Sequence, residues 1–261
     1  MKTVSNQLNK VKRYFENNLT AVQLDHIRRS YIKFLAPIPS RVFSSDLNAL
    51  SVINFSDKGP AHDYVRHYMK YFHGLRKKKL KILEIGAGGY DNPKAGGNSL
   101  RMWKYYFPRS TIYSIDIHEK ELPQDERIRI FRGSQADRKF LEYVFSEMGS
   151  VDIVIDDGSH KGADVITAFT TLFPLLKGGG IYSVEDTNTS YFPEWGGSDK
   201  DPDRPETTMG FFKGLTDRMN HTGAARPDDP YAYFVKNIAG IHFYRDLVVI
   251  LKEKLSGSTD D

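Results

Sequence analysis

Hydrophobic positions change their spacing near residue 80. Before it they recur three and four residues apart, the period of an amphipathic helix. Residues 6–35 predict a helical arm with Leu8, Val11, Tyr14 and Phe15 on one face, and Pro37 and Pro39 are expected to end it. An irregular stretch follows to Pro60. The run "HDYVRHYMKYFHGL" (62–75) then predicts a second helix, with Tyr64, Tyr68 and Tyr71 on its core face. From Leu80 onward, short apolar runs alternate with helical ones. Strands are predicted at "LKILEIGAGG", "STIYSIDIH", "IRIFRGS", "VDIVIDDGS" and "GGIYSVEDT", with helices such as "GGNSLRMWKYYF" and "DVITAFTTLFPLL" between them. That alternation predicts an α/β fold with a mostly parallel sheet covered on both faces. The end, "GIHFYRDLVVILKEK", instead reads as an antiparallel hairpin turning at Arg245 and Asp246. This hairpin separates the layout from a dehydrogenase nucleotide-binding domain. The expected division is an N-terminal helical arm and cap over 1–60 and an α/β body over 61–261.

Composition narrows the classes without naming one. The 261 residues are 39% hydrophobic and 27% charged, as in an ordinary globular domain. Cysteine is absent, which excludes disulfides, thiolate metal sites and a cysteine nucleophile, and makes a cytoplasmic location the default expectation. No apolar run has the length of a membrane span or signal peptide. The net charge of +4 is mild, and the densest basic run, Arg76 to Lys79, fits a solvated turn. Neither a nucleic-acid nor a membrane partner is expected.

Polar residues gather where the strands end. The glycine turn from Glu84 to Gly89 lies between a strand and a helix, where Gly86 and Gly88 let backbone approach a ligand. It falls short of the GxGxxG pyrophosphate cradle. The second strand ends in Asp116, placed to accept ribose hydroxyls, and the third leads into Gln135 and Asp137, candidates for an adenine edge. Together these positions describe a site for S-adenosylmethionine. Glu84, Gly86, Gly88, Ser99, Asp116, Gln135, Asp137 and Asp156 form the candidate cofactor set. Asp156 points to the opposite side of its strand from Asp157, so it is either structural or directed at the methionine end of the cofactor.

The stretch "VDIVIDDGSHKGAD" runs from an apolar strand straight into acids and a histidine. The fourth and fifth strands are expected to be neighbours, bringing Asp157, Glu185 and Asp186 to one point. Three carboxylates there repel one another unless they are protonated or share a cation, and an all-oxygen set suits Mg²⁺, with Mn²⁺ or Ca²⁺ also open. Glu185 or Asp186 could instead cap or support the others. His160 reaches the same face, and an imidazole titrating near neutrality suits general-base work; alone it would more often be structural.

Over "SDKG" (56–59), "EIGAGG", "GGNSLRMWKYYFP", "SIDIH", "GSQAD", "VIDDGSH" and "GGGIYSVEDTNTSY", the chain resembles the class I S-adenosylmethionine-dependent methyltransferases. Within them it is similar to the metal-dependent sugar O-methyltransferases of macrolide and rhamnosyl type in antibiotic biosynthesis. The run "DDGSH" followed by "VEDT" is the most specific part. The resemblance implies a Rossmann-like sheet, S-adenosylmethionine as methyl donor with S-adenosylhomocysteine as product, Mg²⁺ on Asp157, Glu185 and Asp186, and His160 as catalytic base. It also implies a small-molecule glycoside as acceptor and leaves a homo-oligomer open. A lid selecting the acceptor is expected near 187–237, where Tyr191, Phe192 and Trp195 could stack on a sugar. A nucleic-acid amino-methyltransferase would carry an Asn/Asp-Pro-Pro-Tyr motif after the fourth strand, where this chain has "DDGSH". A catechol-type O-methyltransferase and a cephalosporin-hydroxylase-like relative remain as alternatives.

Overall fold

The computed structural model describes residues 20, 23, 27, 29–122, 125–221 and 229–254. Seven strands form one sheet: β1 (Lys81–Ile85), β2 (Thr111–Asp116), β3 (Ile128–Arg132), β4 (Val151–Asp156), β5 (Leu176–Glu185), β6 (Ile238–Tyr244) and β7 (Leu247–Lys252). Their order is β3-β2-β1-β4-β5-β7-β6. The first five are parallel, and β7 runs antiparallel to both β5 and β6. The order reverses between β1 and β4, and the carboxyl ends of those strands open the crevice where ligands bind in such sheets.

Period-two alternation sends neighbouring side chains to two separate cores. Ile82, Ile112, Ile153 and Ile181 pack against Leu47, Leu50, Tyr68, Phe72 and Trp103. Those residues come from α2 (Leu47–Ile53), α3 (Val65–Phe72) and α4 (Asn98–Tyr106), which follow α1 (Pro37–Val42). On the other face Leu83, Tyr113, Val154 and Tyr182 pack against Leu141, Phe169 and Phe212. These belong to α5 (Arg138–Met148), α6 (Gly162–Leu175) and α7 (Thr208–Asn220), with α8 (Ala232–Asn237) beyond. Pro174 sits inside the last turn of α6, and the buried Lys252 ammonium donates to the carbonyls of Phe173, Pro174 and Leu176 there. Among the described residues no helix is long and apolar enough to cross a membrane.

The N-terminal third differs from the expected pattern. Leu8, Val11, Tyr14 and Phe15 lie outside the described residues. The expected helix over 6–35 does not include Thr20, where Gln23 N–H donates to Thr20 Oγ1 and Thr20 N–H donates to Gln23 Oε1. This reciprocal capping box marks a helix start. Residues Tyr31–Leu35 form one turn of π-helix, and Pro37 and Pro39 do not end helical structure but open α1, with Pro37 at its first position. A proline fits there because the first-turn N–H has no intrahelical partner. The stretch expected to be irregular also contains α2, capped by Asp46 accepting from Ala49 N–H. Among the described residues of the expected lid stand two short 3-10 turns, Thr187–Tyr191 and Pro193–Trp195, and the helices α7 and α8.

The glycine turn is a packing device first. Gly86 has φ +93°, and a Cβ there would stand 2.1 Å from the Asp157 carbonyl oxygen. Gly86→Ala is therefore expected to combine backbone strain with a clash and to lower stability by about 2–5 kcal/mol. Urea denaturation measures it, and a loss below about 1 kcal/mol would contradict the described approach.

Candidate active site

The register of β4 and β5 builds the acidic end of the crevice. Asp156 pairs with Val184, so Asp157 and Glu185 emerge side by side on the face covered by α3. Chain from before β1 also reaches this point. The buried Lys58 ammonium lies 2.6 Å from Asp157 Oδ2, 2.7 Å from Glu185 Oε2 and 3.2 Å from Glu84 Oε1. Tyr68 Oη donates to the other Glu185 oxygen at 2.6 Å, and Tyr64 Oη donates to Asp186 Oδ1 at 2.6 Å. Asp157 and Asp186 thus each give one oxygen to a fixed protein donor and turn the other toward His160, whose Nε2 lies 4.0 Å from Asp157 Oδ1 and 3.7 Å from Asp186 Oδ2.

Asp157, His160 and Asp186 form a group whose ligand atoms all lie within 4.8 Å of one another. The chemistry of the set, two carboxylate oxygens and an imidazole nitrogen, fits a divalent cation. Glu185 stands beside this group, with both oxygens engaged by Lys58 and Tyr68. His160 and Asp186 have φ of 57° and 51°, the left-handed region that non-glycine residues seldom occupy. Thr189 Oγ1 donates to both their carbonyls, at 2.9 and 2.8 Å, and so fixes the strained pair. His62 Nδ1 lies 3.6 Å from Asp186 Oδ1, and its ring stacks on Tyr64. From the lid region, the Trp195 ring meets His160 edge-on at 6.0 Å between centroids.

The candidate cofactor residues divide by what they touch. Glu84 is buried, accepts from Ser99 Oγ at 2.9 Å and faces Lys58. Gly88 has φ +70° and open space where a Cβ would stand, its nearest neighbour the Cα of Gly96 at 3.9 Å. Asp116 ends β2 beneath the turn, accepting from Ala87 N–H and His118 N–H, with Lys120 Nζ at 3.8 Å. Gln135 is turned inward, donating to Asp156 Oδ1 and accepting from Ser159 N–H. Asp137 caps α5 by accepting from Lys139 and Phe140 N–H. Asp156 lies buried on the opposite face from Asp157, held by Gln135 and Tyr182. The structure therefore places Glu84, Gly88, Ser99 and Asp116 around the turn, and joins Gln135 and Asp156 into a support beneath the β4 loop.

Burial raises the proton affinity of this region. Glu84 is pushed up to about 7 by desolvation, against the pull of Lys58. Glu185 is held well above the usual carboxyl range for the same reason, also against Lys58. Burial alone would lower Lys58, but Asp157, Glu185 and Glu84 outweigh it and the ammonium is held well above its ordinary value. Tyr64 and Tyr68 are raised, first by burial and then by the acids they serve, so both phenols stay protonated donors.

No family model matches the chain. Curated relatives do. It is 41% identical over 211 residues to mycinamicin VI 2''-O-methyltransferase of Micromonospora griseorubida, covering 79% of this chain and 52% of that protein. It is 36% identical over 250 residues to 8-demethyl-8-(2-methoxy-alpha-L-rhamnosyl)-tetracenomycin-C 3'-O-methyltransferase of Streptomyces olivaceus, covering 94% of this chain and 64% of that protein. A solved structure, the MycE methyltransferase of the mycinamycin biosynthetic pathway in complex with Mg, SAH and mycinamycin VI, matches with TM-score 0.74 and 39% identity. The match covers 82% of this chain and 57% of that one. The chain is a homologue of the antibiotic sugar O-methyltransferases. It spans about half to two thirds of the length of the relatives it matches.

Lys58, Tyr64, Tyr68 and His62 also stand at this candidate site, although none is among the cofactor, metal or catalytic candidates of the sequence. The tyrosines recur at helical spacing and read as core, and their rings are indeed buried; only the hydroxyls reach the acids. "SDKG" was the one legible signal for Lys58.

Asp156 gives a pH test of the supporting layer. Burial pushes its carboxyl up to about 7, only partly offset by Tyr182 and Gln135, whereas the unfolded chain titrates near 4. Between those values the folded state binds the extra proton, so this group's contribution to stability falls as pH rises. Asp156→Asn is expected to remove a decline of about 2–4 °C in Tm per pH unit between pH 5 and 7. An unchanged slope in calorimetric scans of the variant would refute this.

Proposed function

We propose that the chain is a Mg²⁺-dependent O-methyltransferase that moves the methyl group of S-adenosylmethionine to a sugar hydroxyl of a glycosylated natural product. The observation that carries the reading is the half-open oxygen pair of Asp157 and Asp186, facing His160 at the carboxyl edge of the sheet beside the glycine turn. The cofactor fits the open side of Gly88, with Asp116 for the ribose and Glu84 with Ser99 at the methionine end. Asp157 and Asp186 would hold the divalent ion, with Glu185 as the third carboxylate in the set. When bound, the ion would lower the pKa of a sugar hydroxyl and fix its direction, while the sulfonium supplies the methyl group.

The chain's own residues do the rest. His160 Nε2 takes the hydroxyl proton as the oxygen–carbon bond forms and the sulfur–carbon bond breaks. Its strained backbone, tied by Thr189, holds the imidazole beside the acids without a flexible tether. Trp195 lies against His160 and Phe192 is exposed nearby in the chain, apolar faces of the kind that stack on sugar rings and exclude water. The range of named acceptors among the relatives supports a glycoside rather than a planar diol.

Calorimetric titration of S-adenosylhomocysteine and Mg²⁺, followed by a glycoside screen for methyl transfer with and without EDTA, tests the assignment. Binding of both with metal-dependent transfer is expected; binding of neither would overturn it. His160→Ala is expected to lower kcat by about 10²–10⁴-fold while leaving Mg²⁺ affinity unchanged. Asp157→Asn and Asp186→Asn are expected to weaken Mg²⁺ binding about tenfold or more. If His160→Ala weakened Mg²⁺ binding as much as the aspartate variants, the histidine would be a ligand and not the base.

A further inference from the structure

Three acids converge in this site, and an apolar interior tolerates little unbalanced charge. Glu84 and Glu185 are buried, Asp157 is half-buried, and the ammonium within reach of all three is that of Lys58, itself 1% exposed. The lysine is set by a stiff loop. Its carbonyl accepts from Val65 N–H, its N–H donates to Ser56 Oγ, and a Cβ on the next residue, Gly59, would stand 2.0 Å from Ser51 Oγ of α2. The ammonium therefore enters from a fixed direction and takes one oxygen of Asp157 and one of Glu185. What it leaves on the His160 side, Asp157 Oδ1, is one of the atoms grouped for a divalent ion.

We propose that Lys58 is the positioning residue of the ion site, an internal counter-ion that holds Glu84, Asp157 and Glu185 in place whether or not a divalent ion is bound. The wild-type site then folds without the ion. The inference rests on the reading that a divalent ion binds these acids. Removing one partner from a buried charge cluster leaves the others uncompensated, which is among the most destabilising single changes. A divalent ion can replace the missing charge because it would bind the oxygen of Asp157 that Lys58 leaves free, next to the other two acids. A lysine that served only to pack would leave no such dependence.

Thermal unfolding of the full chain decides it, with wild type, Lys58→Gln, Lys58→Arg and the double variant Lys58→Gln/Glu185→Gln each scanned in EDTA and in saturating Mg²⁺. Wild type is expected to fold in both buffers and to gain in Mg²⁺ only the increment that ion binding itself brings, whereas Lys58→Gln is expected to lose about 5–10 °C in EDTA and to gain more from Mg²⁺ than wild type does, recovering most of that loss. Lys58→Arg should stay near wild type, and the double variant, with one uncompensated acid removed, should regain at least half of the loss in EDTA. An equal loss in both buffers, no loss in EDTA, or a double variant no better than the single one would overturn the proposal. Should Lys58→Gln fail to fold in EDTA, the double variant is judged against wild type, and its failure to fold counts against the proposal. Mg²⁺ titration of wild type separates the two readings. Its failure to bind refutes the ion site itself, whereas normal binding with an ion-independent loss in Lys58→Gln refutes only the role of the lysine.

Discussion

Charge that is buried must be balanced where it lies, and this constraint organises the molecule around Lys58. Three strands and two preceding segments meet at its ammonium: Glu84 from β1, Asp157 from the end of β4, Glu185 from β5, Tyr68 from α3 through Glu185, and the loop that carries the lysine. Hydrophobic burial in the two cores supplies most of the driving force for folding, but it is indifferent to direction. The charge cluster is directional. It takes both oxygens of Glu185 together with Tyr68, and it fixes which oxygen of Asp157 is held inside the protein and which is left facing His160.

The body of the fold was legible because strands and helices have different periods, and from Leu80 onward each segment follows one of them cleanly. The sheet, its C-terminal hairpin and the helices that follow the first and fourth strands all stand where the pattern put them. The segment before Pro60 was not legible, for a specific reason. Pro37 and Pro39 read as a stop, yet the same fixed φ that ends one helix begins another, and only tertiary context distinguishes the two. The start of β5 at Leu176 was likewise hidden, because its first residues pair across an irregularity with Val151.

The site was legible in part for a related reason. Carboxylates at strand ends announce themselves, so Asp157, Glu185, Asp186 and His160 stand out in a row of apolar residues. Polar tips on apolar bodies do not. Tyr64 and Tyr68 fill core positions with their rings and reach the acids only with a hydroxyl, and Lys58 sits in a loop that no period marks. Gln135 and Asp156 illustrate the converse: each is polar at a strand end, yet they bond to each other, so chemical type and position alone did not reveal that their hydrogen bonds were already spoken for.

The stretch from Phe192 to Arg204 bonds largely to itself and to its immediate neighbours. Trp195 and Gly197 N–H donate to Phe192, Gly196 N–H to Pro193, and Ser198 N–H to Ser190. It meets the acidic cluster through the edge-on contact of Trp195 with His160. The surface that would greet an acceptor is thus mechanically separable from the charged machinery behind it. Changes of sequence within this stretch can redraw the surface in front of His160 while the buried charges behind it keep their partners.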